Sequence, residues 1–186
     1  MAKGEIICAS DFGDPATSAY VLPFLVGETQ LLQQTYCPPN PAWGHHNWFA
    51  YDFDTAIGDT VVASRAGTVL FTQADKLNGT RDCSSNSANY VFIRHDDGTV
   101  MQYVHLTTNG VLVAVGQRVE QGDPIGLSGD SGCSSGPHVH VNLFRDNTDF
   151  NRQATLPYNF VNADGPLDAN RGLVHQAAYT ALAPAG

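Results

Sequence analysis

His138-Val139-His140-Val141-Asn142-Leu143-Phe144 places polar residues at 138, 140 and 142 and apolar ones at the odd positions between them. A period of two belongs to extended chain, where successive side chains point to opposite faces. The segment reads as a strand with His138 and His140 side by side on its polar face. The preceding Gly129–Pro137 run, rich in Gly and Ser, reads as a flexible loop delivering the chain into that strand. Two imidazoles on one face can aim at one point, but such pairs also occur on solvated faces, so the reading depends on partners elsewhere.

Those partners lie upstream. In Phe49-Ala50-Tyr51-Asp52-Phe53-Asp54 the same alternation puts Asp52 and Asp54 on one face and Tyr51 and Phe53 on the other. His45 and His46 precede them, bracketed by Trp43 and Trp48. His105 closes Met101-Gln102-Tyr103-Val104-His105-Leu106, where alternation puts Tyr103 and His105 on one face and turns Val104 and Leu106 inward. A catalytic zinc ion takes three protein ligands drawn from histidine and carboxylate and keeps one position open. A His/Asp/His set with further histidines beside it matches the needs of zinc-assisted hydrolysis. His95, next to a turn, and His175 lack such a context and read as surface residues.

Outward from these strands the chain alternates short β-branched runs with turn residues. The runs are 60–63, 67–73, 90–95, 99–105, 111–115, 124–128 and 138–144, with a hairpin turn expected at Asp96-Asp97-Gly98. The fold class expected is all-β, a single-domain antiparallel sheet or sandwich. Tyr20–Gly27 carries Pro23 and reads as an edge strand or an extended arm on the main sheet. Residues 73–89 read as a long polar surface loop, and 172–184 as a segment able to form a short helix. The expected division is an N-terminal arm (1–34), a principal domain (35–150) and a C-terminal tail packed on it (151–186).

The bulk properties exclude several function classes. No apolar run is long enough to span a bilayer as a helix. Eighteen acidic residues against nine basic ones give a net charge of −9, which disfavours nucleic acid, whose binding rests on neutralising phosphates. Cys8, Cys37, Cys83 and Cys133 show no C-x-x-C spacing, so a structural zinc site or dithiol redox motif is not indicated. An even number suits disulfides in an oxidising compartment; the expected pairs are Cys8–Cys37 and Cys83–Cys133. Met1-Ala2-Lys3-Gly4 opens no signal peptide, so a secreted or periplasmic location implies a leader already removed.

Four separated motifs resemble the M23 family of zinc metallopeptidases, the lysostaphin- and LytM-type peptidoglycan endopeptidases. They are Asp52–Ala63 followed by Arg65-Ala66-Gly67-Thr68-Val69; Tyr103-Val104-His105-Leu106; Val113–Gly129, ending Asp123-Pro124-Ile125-Gly126-Leu127-Ser128-Gly129; and Gly132 with Ser135-Gly136-Pro137-His138-Val139-His140. The resemblance covers about residues 44–145 in family order. It implies a small antiparallel β fold with a zinc-containing groove, Zn²⁺ as cofactor and a peptidoglycan peptide as substrate. Carried onto this chain, it implies Asp52 and His140 as ligands and His105 and His138 as catalytic. The commonest family pattern has a histidine four residues before the aspartate, where this chain has Trp48. A variant with a longer insertion fits His45-His46-Asn47, making His45 the first ligand in preference to His46.

Two other classes of protein share some of these features. A catalytically inactive relative that binds peptidoglycan or activates an amidase would lack one or more ligands, and here all are present. The rhythm of Val115–Ile125 resembles biotinyl and lipoyl domains, but neither Lys3 nor Lys76 occupies an exposed hairpin. A monomer is expected, with loops 73–89, 106–112 and 129–137 shaping the subsites.

Overall fold

The computed structural model describes residues 10–36, 45, 49–146, 150 and 155–183. Cys8, Cys37, Trp43, His46 and Trp48 lie outside the described residues, and with them the Cys8–Cys37 pairing and the choice between His45 and His46. Among the described residues eleven strands occur, in the order β1 (Thr29–Gln34), β2 (Ala50–Asp54), β3 (Thr60–Val62), β4 (Gly67–Gln73), β5 (Asn89–Arg94), β6 (Val100–Val111), β7 (Arg118–Val119), β8 (Pro124–Ser128), β9 (His138–Phe144), β10 (Ala163–Asp164) and β11 (Ala178–Ala181). All pairings are antiparallel. The sheet runs β10-β11-β1-β2-β9-β6-β5-β4-β7, with β8 pairing both β3 and β6. The fold is all-β, as the alternation requires; the single helical element among the described residues is a 3-10 turn at Pro15–Thr17.

Alternation divides the sheet into two chemically distinct faces. Tyr51 and Phe53 of β2, Val139, Val141 and Leu143 of β9, Met101 and Tyr103 of β6, and Val91 and Ile93 of β5 enter one core. Leu22, Phe24, Tyr158 and Phe160 belong to the same core. Each aliphatic or phenylalanine side chain fully buried there contributes roughly 1.5–3 kcal/mol. The core tyrosines keep their hydroxyls satisfied: Ser64 N–H donates to Tyr103 Oη at 2.7 Å, and Tyr51 Oη donates to the Tyr158 carbonyl at 3.0 Å. The opposite faces of β2 and β9 carry Asp52, His138, His140 and Asn142. Pairing register brings them together, with Asp52 opposite His140 and Asp54 opposite His138.

The Tyr20–Gly27 segment is an extended arm. Val21 N–H donates to Ser64 O, Val62 N–H donates to Pro23 O, and Phe24 bridges to Val61. Asp96-Asp97-Gly98 forms the expected hairpin turn between β5 and β6, closed by His95 N–H to Thr99 O at 2.8 Å.

Several expectations are corrected. Residues 111–115 do not form a separate strand: β6 continues to Val111, where it pairs with Gly126 of β8, and so absorbs most of the expected 106–112 loop. The 172–184 segment yields β11, hydrogen-bonded to β1 and β10, because the open edge of β1 offers backbone partners that an isolated short helix lacks. His95 is not a surface residue. It is 2% exposed, its Nδ1 lies 2.9 Å from Ala66 O, and burial pushes its pKa down. His175 is half-buried.

Candidate metal centre and catalytic histidines

His140 is the hub of the site. It sits on β9 between Asp52 of β2 and Val104 of β6, its register partners on either side. Its Nδ1 lies 2.7 Å from Asp52 Oδ1, and its Nε2 lies 3.0 Å from Asn142 Oδ1. His45 reaches the same carboxylate from the other side, with Nε2 3.1 Å from Oδ2. Its backbone N–H donates to Thr35 O at 3.0 Å, which ties this residue to the end of β1. One ligand atom from each of His45, Asp52 and His140 lies within 4.8 Å of the others. Burial raises the pKa of the Asp52 carboxyl, but the facing His45 and His140 outweigh it and hold the group well below the usual carboxylate range. A buried, ionised carboxylate between two imidazoles is a donor set that fits zinc. Asp54, which shares the face of Asp52, lies one register step away, opposite His138.

His105 and His138 lie beside this cluster, their rings 4.5 Å apart. His138 Nε2 stands 3.8 Å from Asp52 Oδ2. Both rings are held through Nδ1 by carbonyls of one loop: His105 by Ser131 O at 2.7 Å and His138 by Gly136 O at 2.8 Å. A carbonyl only accepts, so each Nδ1 carries a proton, and in the neutral tautomer the lone pair lies on Nε2. Burial, followed by the neighbouring His138 and His140, pushes His105 down to about 4.

His105 reaches the site by a route that simple alternation misses. Tyr103 and Leu106 both enter the core, whereas Val104 and His105 line the open face. The expected sharing of a face by Tyr103 and His105 is therefore wrong, as is the inward turn of Val104. The β5–β6 register shifts between Asn89 and Tyr90, opposite Leu106 and Val104, leaving His105 as an extra residue. Its φ is +66°. A β-bulge with a left-handed residue re-aims one side chain and resets the alternation after it.

The 129–137 loop is fixed rather than flexible. Asn89 N–H donates to Ser131 Oγ at 3.0 Å, and Ser131 Oγ donates to Leu106 O at 2.7 Å. The Cys83–Cys133 disulfide ties the same loop to the 74–88 connection. Asp130 N–H donates to Asn78 Oδ1 at 3.1 Å. Ser131, Gly136 and Asn142 were not singled out as site residues from the sequence. For Asn142 the available signal was its place two residues beyond His140 on the same strand face; for the loop carbonyls there was none, since a backbone acceptor has no residue signature.

The site is a largely buried His/Asp cluster able to hold a metal ion, with two carbonyl-held histidines beside it, on an antiparallel sheet. Residues 46–152 match the family model of peptidase family M23, and the chain belongs to that family. Among curated relatives it is 38% identical over 92 residues to the peptidoglycan DD-endopeptidase ShyA of Vibrio cholerae, and 35% identical over 89 residues to ShyC of the same organism. These matches cover 50% and 48% of this chain but only 19% and 18% of the relatives. The chain thus spans about a fifth of the length of those proteins. Its fold resembles the catalytic domain of lysostaphin from Staphylococcus simulans at TM-score 0.50 and 23% identity, over 70% of this chain and 87% of that one. A point mutant of the catalytic domain of the prophage-encoded M23 protein EnpA from Enterococcus faecalis gives TM-score 0.54 at 20% identity, over 73% and 93% of the two chains.

Proposed function

We propose that this protein is a zinc-dependent endopeptidase that hydrolyses peptide bonds in bacterial peptidoglycan. His45, Asp52 and His140 would hold the metal, and His105 and His138 would act on water and the scissile carbonyl. The observation that carries the reading is the convergence of three ligand atoms within 4.8 Å beside two histidines whose Nδ1 atoms are already committed to carbonyls. Membership of a peptidase family and the names of the curated relatives support the substrate class.

Zinc, when bound, supplies Lewis acidity for the scissile carbonyl and lowers the pKa of an attacking water toward ~7. The protein's own groups do the rest. His105, neutral at neutral pH, offers a lone pair on Nε2 as a proton acceptor. His138 offers a second Nε2 close to Asp52, able to take the proton or, once protonated, to donate to the developing oxyanion. Asn142 accepts from His140 Nε2, which orients the ring so that Nδ1, the nitrogen facing Asp52, would serve as the ligand. The Cys83–Cys133 disulfide supports a location outside the reducing cytoplasm, where a monomer would meet the cell wall.

The reading is tested with zinc-reconstituted protein, cell-wall turbidity and mass spectrometry of digested muropeptides with different cross-bridges. The expected result is stoichiometric zinc and a defined set of cleaved peptide bonds, absent in His140→Ala. A protein that binds no zinc, or cleaves no muropeptide when loaded, overturns it.

A further inference from the structure

Ser131 and Ser134 stand on the loop that holds both candidate bases, and each secures one of the carbonyls concerned. Ser131 does so through the sheet. Its hydroxyl accepts from Asn89 N–H of β5 and donates to Leu106 O of β6, which fixes the carbonyl that His105 meets. Ser134 works within the loop. Its Oγ donates to Gly136 O at 2.7 Å and accepts from Gly136 N–H at 3.3 Å. The same oxygen lies 3.3 Å from Nδ1 of His138, and Nδ1 lies 2.8 Å from Gly136 O. A hydroxyl has one proton and two acceptor sites. With its proton committed to the carbonyl, Ser134 faces Nδ1 as an acceptor, so both oxygens in front of Nδ1 call for a proton there.

An opposing pull acts on the far side of the ring. Nε2 of His138 stands 3.8 Å from Asp52 Oδ2, a carboxylate oxygen that only accepts and therefore favours the tautomer with its proton on Nε2. That tautomer would remove the lone pair a proton acceptor needs. The Gly136 carbonyl decides between the two forms, and Ser134 is what holds it. A Cβ added to Gly136 would meet nothing within 4 Å, so packing does not pin the peptide on that side. The disulfide fastens Cys133, the residue before Ser134, and not the two residues after it. Ser134 is only 6% exposed, so water has little room to take over the bonds of a missing hydroxyl, and the groups it served would be left unsatisfied.

We propose that Ser134 is a positioning residue for the hydrolysis: its hydroxyl holds the Gly136 carbonyl against Nδ1 of His138, which keeps the ring's proton on Nδ1 and leaves the Nε2 lone pair facing the metal site. The catalytic consequence rests on the endopeptidase reading; the hold on the ring rests on the loop alone. Ser134 acts through His138 and touches neither the ligand set nor the strands, which separates it from Ser131.

The test has two arms, both on the full chain. Ser134→Ala leaves every strand hydrogen bond in place, so it is expected to fold with the far-ultraviolet circular dichroism of wild type. In the first arm the metal-free protein is labelled with ¹⁵N-histidine, and the ring nitrogens are read by long-range ¹H–¹⁵N correlation at pH ~8.5, above the ~6.5 of a free imidazole. Wild type is expected to show His138 protonated on Nδ1, and Ser134→Ala to show a population protonated on Nε2. In the second arm the zinc-loaded proteins cleave a defined cross-linked muropeptide. Ser134→Ala is expected to lose ~10–100-fold in kcat, with KM within about twofold of wild type. Ser134→Thr, which keeps the hydroxyl, is expected to restore the tautomer and most of kcat. A wild-type ring protonated on Nε2, a tautomer unmoved by Ser134→Ala, or a kcat unmoved by it each overturns the positioning role and leaves the endopeptidase reading intact. No cleavage by wild type, with the tautomer shifted in Ser134→Ala, upholds the hold of Ser134 on His138 and overturns the endopeptidase reading. No cleavage and an unmoved tautomer overturns both.

Discussion

His140 and Asp52 are register partners across β9 and β2, and Nδ1 of the one lies 2.7 Å from Oδ1 of the other. The backbone ladder itself sets this contact, so neither side chain needs a loop to reach the other. His45 brings a further nitrogen to the same carboxylate, its Nε2 3.1 Å from Oδ2 of Asp52.

Removing either partner should therefore abolish metal binding without unpairing the strands. His140→Ala and Asp52→Asn are each expected to purify without zinc by elemental analysis while keeping the wild-type far-ultraviolet circular dichroism. For the wild type, added zinc should raise the thermal midpoint in a concentration-dependent way, by an amount equivalent to ~2.7 kcal/mol when free zinc is 100-fold above its dissociation constant. A chelator should reverse it. Zinc retained stoichiometrically by His140→Ala would refute the ligand assignment.

Asn142 is fully buried and meets Nε2 of His140 at 3.0 Å. Groups that orient a metal-ligating imidazole are worth about 10–100-fold in metal affinity. Asn142→Ala should weaken zinc by that amount in competition with a chromophoric chelator. An unchanged affinity would assign Asn142 a packing role only.

His105 makes no contact within the ligand triad at hydrogen-bond distance, so His105→Ala should keep zinc and lose ~10²–10⁴ in kcat. Burial and the neighbouring imidazoles push the His105 pKa to about 4 in the metal-free protein, below the ~6.5 of an unfolded imidazole. Between those values the native state binds fewer protons than the unfolded state. Stability of the metal-free protein must then fall as pH drops from ~6.5 toward 4. His95, lowered chiefly by burial, adds to the same slope. His105→Gln should flatten the slope in urea titrations run across that window, and an identical slope would contradict the shift.

Cys83 and Cys133 are 50 residues apart in sequence, a span for which a cross-link is worth about 2–4 kcal/mol. The paired Cys83→Ala, Cys133→Ala variant should lose that much stability in denaturant melts. It should also lose turnover beyond what zinc content explains, because Ser131 and Gly136 on the same loop hold the two histidines. Turnover per bound zinc equal to wild type would show that the hydrogen bonds fix the loop unaided.

Much of this site was legible in the chain itself, wherever the signal was local. The two-residue period of 138–144 and 50–54 separated Val139, Val141, Tyr51 and Phe53 from His138, His140 and Asp52, and the core contains the first set. Turn chemistry located the Asp96–Gly98 hairpin, and cysteine number suggested the Cys83–Cys133 pair. The failures occurred where a distant partner overrode local pattern. A bulge opposite Asn89 turned His105 away from Tyr103, the free edge of β1 drew residues 178–181 into the sheet, and Tyr20 and Ala66 enclosed His95.

The sequence by itself determined which residues of β2 and β9 lie on the reactive face, because side-chain alternation is a property of each regular extended segment. Only the tertiary structure decided how far apart they stand. Strand register aligns Asp52 with His140, a bulge redirects His105, and a cross-linked loop supplies the carbonyls that hold both candidate bases. These are relations between segments tens of residues apart, fixed by hydrogen bonds and packing that no single segment encodes.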